Sequence, residues 1–348
     1  MRKILLLSLS VFLLWASVAW AAPNEINVFI WSEYIDPEIP VDFEKATGIK
    51  VRMDLYESNE EMLAKLQAGG VSQYDIIVPS TYIITPLIKL DLLMKLDKSK
   101  LPNLKNLDPN FISQDFDKDN EYCVPYQWGT VGLMYRKDKI TNYQNTWAFL
   151  FDTANDPGPF ALIDSSREMI GIVLVYLGYE FNSTNPKELK EAIDLLAATK
   201  QRSNCLGFKG GVGGKNDVVA GVAYSAIVYN GDALRAVEED PENMDYIIPM
   251  EGSEIWMDSM CIPAKAPNPD GAHAWINYIL DPEVGAKLSN WNQYATPNLA
   301  AKEFITPEDL KNPAIYPSAE MMKRLFYVED LGKENRIIEE AWTRVKSH

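Results

Sequence analysis

The feature that most limits how this chain can fold is a regular exchange of two periodicities through its N-terminal third. Glu25–Trp31 reads EINVFIW, apolar on both faces, the pattern of a strand buried between helices. A helical stretch follows and stops near Gly48, and residues 50–56 form the next strand. Ser58 and Glu61 have the spacing of a capping box and open a helix that carries Met62, Leu63 and Leu66 and stops at Gly69. Residues 74–79 (YDIIVP) give a third strand. This alternation predicts a parallel, doubly wound sheet, whose ligand crevice is lined by the loops leaving the strands. Here those loops carry Trp31-Ser32-Glu33-Tyr34 and Ser80-Thr81-Tyr82.

A second α/β unit is expected downstream. Residues 95–121, rich in Lys, Asp, Asn and Pro, should wrap the surface, and 129–135 reads as a strand leaving the first domain. Then come a short strand over 160–163, helices over 166–178 and 186–198, a glycine-rich loop over 207–214, and a strand over 223–228. That loop lacks the spacing of a phosphate loop. Tyr229-Asn230-Gly231-Asp232 leads into another helix, and 255–259 (IWMDS) reads as an extended segment recrossing to the first domain. Helices over 269–280 and 282–291 precede an irregular crossing at 294–298, and the C-terminal part, with Leu325 and Trp342, is expected on the second domain. The expected fold class is α/β, with two lobes, each a doubly wound sheet flanked by helices, and a ligand cleft between them. The lobes are assigned as 22–133 plus 256–297 and 134–255 plus 298–348.

The first residues are set apart. Met1-Arg2-Lys3 is basic, Ile4 to Trp20 is apolar, and Ala19-Trp20-Ala21 is a small-residue cleavage pattern, together a secretory signal peptide over residues 1–21. The expected location is outside the cytoplasm, after cleavage near Ala21. Removing 21 of 348 residues leaves 327, more than one core usually accommodates. Losing Arg2 and Lys3 takes the formal charge from −16 to −18, which disfavours nucleic acid and favours cations. Cys123, Cys205 and Cys261 are too scattered for a disulfide framework or a zinc site; two could pair, but spacing does not say which. With only His273 and His348, histidine-based metal binding or proton relay has little to work with, and no metal or cofactor is expected.

No nucleophile elbow, zinc-protease motif, Walker loop or dinucleotide fingerprint is present. What recurs is an aromatic next to an acid at strand ends: Trp31 and Tyr34 around Glu33, Tyr229 before Asp232, Trp256 before Asp258. In a strand, Trp256 and Asp258 share a face. Rings cover methylenes and face ammonium groups, while carboxylates supply charge-assisted hydrogen bonds, as a slender organic cation requires. Each acid also has a plainer use. Glu33 fits a solvated loop, Glu168 fits a capping box with Ser165, and Asp232 fits a helix N-cap.

At these residues the sequence resembles the periplasmic spermidine/putrescine-binding proteins of polyamine ABC importers, over nearly the whole chain after the leader. The likeness rests on Trp31-Ser32-Glu33-Tyr34, on Tyr56-Glu57-Ser58-Asn59-Glu60, on Val78-Pro79-Ser80-Thr81-Tyr82 and on Trp256-Met257-Asp258-Ser259. Leu96 to Leu101 and Thr296 to Ala301 add to it. The resemblance implies a type II periplasmic binding fold and an aromatic box of Trp31, Tyr34, Tyr229, Trp256 and Tyr294. It implies carboxylates Glu33, Glu168 and Asp258 for the amines, polar contacts from Ser32, Ser80 and Tyr82, and an end contact at Glu329. Spermidine-preferring members carry an acid where this chain has Ser165 and a tryptophan where it has Tyr229. Putrescine-preferring members share the acid at Asp232, yet have phenylalanine in place of Trp256. A site that prefers putrescine, or takes both polyamines, is therefore expected. The implied activity is carriage, not catalysis, with a polyamine and a membrane permease as partners of a monomer. The alternatives are a hydrolase or lyase using cleft carboxylates, a receptor of the same fold for another small solute, and a polyamine sensor without transport.

Overall fold

The computed structural model describes residues 24–347, so the leader over 1–21 lies outside the described residues. Strand β1 (Glu25–Trp31) pairs in parallel with β2 (Lys50–Tyr56) on one side and with β3 (Ile76–Ile77) on the other. The helix Glu38–Thr47 between β1 and β2 ends where Gly48 takes a φ of 74°, a left-handed cap that a residue without a Cβ adopts freely. Ser58 accepts a hydrogen bond from the Glu61 N–H at 3.1 Å and caps Asn59–Gln67.

The remaining strands make the sheets mixed instead of all parallel. They are β4 (Cys123–Arg136), β5 (Phe160–Ile163), β6 (Cys205–Lys209), β7 (Ser225–Tyr229), β8 (Met244–Ile247), β9 (Ser253–Cys261) and β10 (Leu325–Phe326). Strand β9 lies antiparallel between β3 and β4, giving the order β2-β1-β3-β9-β4 in one sheet. The other runs β6-β5-β7-β4-β8, with β4 antiparallel to both neighbours. The two sheets share a plan: two parallel neighbours, a third parallel strand, then one antiparallel strand arriving from elsewhere. Residues 123–130 of β4 pair with β9, and 131–136 pair with β7 and β8, so β4 runs from one sheet into the other. Every residue of β9 is buried, as are all of β4 but its last.

Several elements differ from expectation. The long strand starts six residues before Gly129, because the ladder bulges between Pro125 and Gln127 and so absorbs a proline that donates no hydrogen bond. The glycine-rich 207–214 is not one loop. Gly207 sits inside β6 at a φ of 83°, next to a register shift, and Gly213–Val219 is a helix. The helix Thr81–Lys89, which carries Pro86 in its interior, and strand β8 have no counterpart in the sequence reading.

The open cysteine question resolves to Cys123–Cys261, which joins β4 to β9 at directly paired positions with Cα atoms 4.5 Å apart; Cys205 is free. His273 is structural. Its Nε2 accepts from the Asp97 N–H at 2.9 Å, and its Nδ1 lies 2.6 Å from the Pro269 carbonyl oxygen. No helix among the described residues is long and apolar enough to cross a membrane.

Candidate functional site

A cavity of about 190 Å³ opens where the two sheets face each other. From the first sheet come Trp31, Ser32 and Tyr34 at the end of β1, with Ser80 and Tyr82 where the helix Thr81–Lys89 begins. From the second come Glu168, in the first turn of the helix Ser166–Tyr176, and Tyr229 and Asp232 at the end of β7. Trp256 and Asp258, two apart on β9, both border the cavity, as does Tyr294. All of these are sequence-predicted positions.

Two glycines make the aromatic wall possible. Gly129 lies opposite Trp256 in the ladder, and a Cβ there would sit 2.5 Å from the indole and 2.3 Å from Asn230 Oδ1. Asn230 needs that closeness, since its Oδ1 accepts from the Thr130 N–H at 3.0 Å. At Gly231 a Cβ would meet the Tyr294 ring at 2.6 Å. With both side chains absent, Trp256 gathers Tyr294, Tyr229 and Tyr34 edge-on, at centroid distances of 5.0, 6.0 and 6.1 Å. Trp31 is the fifth ring of the expected box. It packs instead on Tyr56 at 4.5 Å, with its indole N–H fixed to the Val78 carbonyl at 2.8 Å.

The acids are the unusual part. Asp258, Glu168 and Asp232 are 5%, 9% and 7% exposed. Burial pushes each of them up to about 7. Ser80 Oγ donates to Asp258 at 2.6 Å and opposes that rise, while Tyr34 Oη stands beside Asp258 without a hydrogen bond of ordinary geometry. The Tyr229 hydroxyl lies 3.1 Å from both oxygens of Glu168. Neither capping alternative holds. Ser165 makes no side-chain cap bond, and the helix Asn230–Glu239 starts after Tyr229, which leaves Asp232 inside its first turn.

Two predicted contacts are not brought to the cavity. Glu33 adopts a φ of 50° in the turn after β1, is exposed, and pairs with Lys215 at 2.9 Å and Arg235 at 3.5 Å. The left-handed turn sends this acid across to the helices of the second sheet, while its neighbours Ser32 and Tyr34 face the cleft. Glu329 is exposed on the segment after β10, held through its backbone N–H to Asn182 Oδ1 at 3.2 Å. Strand β10 pairs over only two residues, and Glu329 lies three residues past its end.

Sequence reasoning also passed over two buried ionic groups. Arg167 borders the cavity, tied to Asn335 Oδ1 at 2.8 Å and Asn182 Oδ1 at 3.1 Å. Glu254 is 2% exposed, and burial, with the charges of Glu168 and Asp258 beside it, holds its carboxyl well above the usual range. Its signal was available. Glu254 precedes Trp256 by two, so the same strand alternation that joins Trp256 to Asp258 reaches back to it.

Residues 39–317 match the family of bacterial extracellular solute-binding proteins. The spermidine/putrescine-binding periplasmic protein of Escherichia coli K12 is 36% identical over 325 residues, covering 93% of this chain and 92% of that one. The putrescine/agmatine-binding protein of Pseudomonas aeruginosa is 35% identical over 371 residues, with both chains covered in full. The solved spermidine/putrescine ABC transporter substrate-binding protein PotD of Streptococcus pneumoniae matches with a TM-score of 0.79 at 33% identity, over 93% of this chain and 98% of that one. This family and these relatives are solute-binding proteins, not enzymes. The chain belongs to the bacterial extracellular solute-binding protein family, and its fold is the two-lobed α/β fold of periplasmic binding proteins.

Proposed function

We propose that this protein is a periplasmic receptor that binds a polyamine, putrescine or spermidine or both, in the cleft and delivers it to an ABC permease. One observation carries the reading. Three buried acids border the cavity, and Arg167 is the only basic residue among its described lining. A buried carboxylate without a counter-charge is costly, and a flexible alkane with an ammonium at each end removes that cost while its methylenes rest on the rings. A neutral sugar would use the rings and leave the acids unpaired. The names of the relatives support the same reading.

The lobes in this proposal are 22–133 with 256–297 and 134–255 with 298–348, after a leader removed near Ala21. The change in β4 pairing between Thr130 and Val131 supports a hinge there. Ligand ammonium groups neutralise acids contributed by both sheets, and Glu33 then locks the lobes through Lys215 and Arg235. The closed, monomeric receptor presents a surface made by both lobes to the permease. Asp232 with Ser165 in place of an acid fits a site that prefers the diamine or takes both ligands; spermidine bound at least tenfold tighter than putrescine would end the diamine preference.

Tryptophan fluorescence of the purified protein titrated with putrescine, spermidine and a neutral sugar tests the reading. Saturation by a polyamine at about micromolar concentration or below, with no response to sugar, is expected. Saturation by the sugar alone would overturn it.

A further inference from the structure

Resting on the polyamine reading, we infer that Arg235 is a positioning residue that holds the closed cleft shut. It sets how long any polyamine stays, and not which polyamine is taken. Arg235 lies on the helix Asn230–Glu239, which follows β7 of the second sheet. Its Cζ stands 4.1 Å from the centroid of the Trp291 ring, and its Nη1 lies 3.5 Å from Glu33 Oε2. A guanidinium over an indole face at that distance makes a cation–π contact, and its planar fork keeps edge N–H groups free for a carboxylate.

Both partners of Arg235 belong to the side of the first sheet. Glu33 is in the turn after β1. Trp291 is on the helix Pro282–Asn292, whose Lys287 pairs at 2.9 Å with both Glu38 and Asp42 of the helix between β1 and β2. Helical spacing builds the contact. Gly231 lies so close to the Asn292 carbonyl and the Tyr294 ring that no side chain fits, and Arg235, four residues on, shares that face and reaches Trp291. Lys215, from the helix Gly213–Val219, meets the same Glu33 oxygen at 2.9 Å. The rim has a second meeting point: Glu57 accepts from Ser32 Oγ with one oxygen and lies against Gly211 with the other, where a Cβ would collide.

Where these groups stand decides what they do. Glu57 and Gly211 border the cavity, whereas Glu33, Lys215, Arg235 and Trp291 are not among the described residues that line it. A group that touches the opposite lobe and not the ligand contributes to binding only through the closing equilibrium. Removing it lowers the closed fraction by the same factor whatever lies inside, so affinities for different polyamines fall together. The loss falls on dissociation, because a ligand enters while the rim contacts are unmade and leaves only after they break. Acids inside the cavity act otherwise, since a diamine and a triamine do not present the same nitrogens to them.

Calorimetry and stopped-flow kinetics on Arg235→Met, with putrescine and with spermidine, test the inference. Methionine keeps an apolar stem over Trp291 and removes the cation. Both dissociation constants should rise by the same factor, about threefold to tenfold, through faster dissociation at an unchanged association rate. Trp291→Leu should act in the same way, and adding it to Arg235→Met should cost little more, because the two side chains share one contact. Unchanged dissociation constants in both single variants, even with a lowered unfolding temperature, would show a structural role only and overturn the inference. A loss about tenfold larger for one ligand than for the other would equally overturn it, since that places Arg235 against the ligand. Binding of neither amine by the unaltered protein would overturn the polyamine reading itself, and this inference with it.

Discussion

Asp258 and Glu33 are both acids flanked by aromatics at the edge of a strand, yet they end in opposite circumstances. Asp258 lies inside β9, buried, held by Ser80 and aimed into the cavity. Glu33 lies two residues past the end of β1, in a left-handed turn, exposed and ion-paired to Lys215 and Arg235. Within a strand, the pleat fixes which way a side chain faces, and neighbours on both sides hold it there. Two residues beyond the strand, a single positive φ reverses the direction. On the proposed function, the contrast separates residues that hold ligand from residues that hold the lobes together.

The comparison can be broken most sharply at β9. Trp256→Ala or Asp258→Asn should weaken polyamine binding by about 1–4 kcal/mol, roughly tenfold to a thousandfold, with circular dichroism unchanged. An unaltered dissociation constant in both variants removes them from the site.

A second effect follows from the buried acids and has a definite sign. Burial raises Asp232 and Asp258 from 3.8, and Glu168 from 4.5, to about 7 in the empty protein. Groups raised on folding stabilise the native state below their unfolded values and lose that contribution as pH climbs through about 7. A bound ammonium removes the penalty. Putrescine should therefore raise the unfolding temperature more at pH 8 than at pH 5. An equal rise at both values contradicts the placement of ligand nitrogens beside these groups.

The smallest effect is expected at Glu33. Its ion pairs are partly exposed, so Glu33→Gln should weaken binding by about 0.2–1 kcal/mol, less at high salt than at low. A loss as large as that of Asp258→Asn would return Glu33 to the ligand shell.

The contrast also marks how far the sequence could be read. Strand β1 and the helix cap at Gly48 followed from local pattern, because their signals lie within a few adjacent residues. Trp256 and Asp258 came together from period-two alternation alone. The same rule carried back two residues reaches Glu254, an acid just outside the 255–259 segment. Pairing of Cys123 with Cys261 depends on β4 and β9 being neighbours across 138 residues, which no local pattern encodes. The start of β4 was hidden by Pro125, and Gly207 concealed β6, since each residue reads as a strand breaker until a bulge accommodates it. Arg167 carries no motif, and its burial is set by Asn182 and Asn335, which arrive from elsewhere in the chain.

A crystal structure of the putrescine complex tests the central claim most directly. Each ligand nitrogen should lie within about 2.7–3.2 Å of a carboxylate oxygen of Asp258, Asp232 or Glu168, with Glu33 still on Lys215 and out of contact. Ligand nitrogens bound away from those three acids, or held by Glu33, would contradict it.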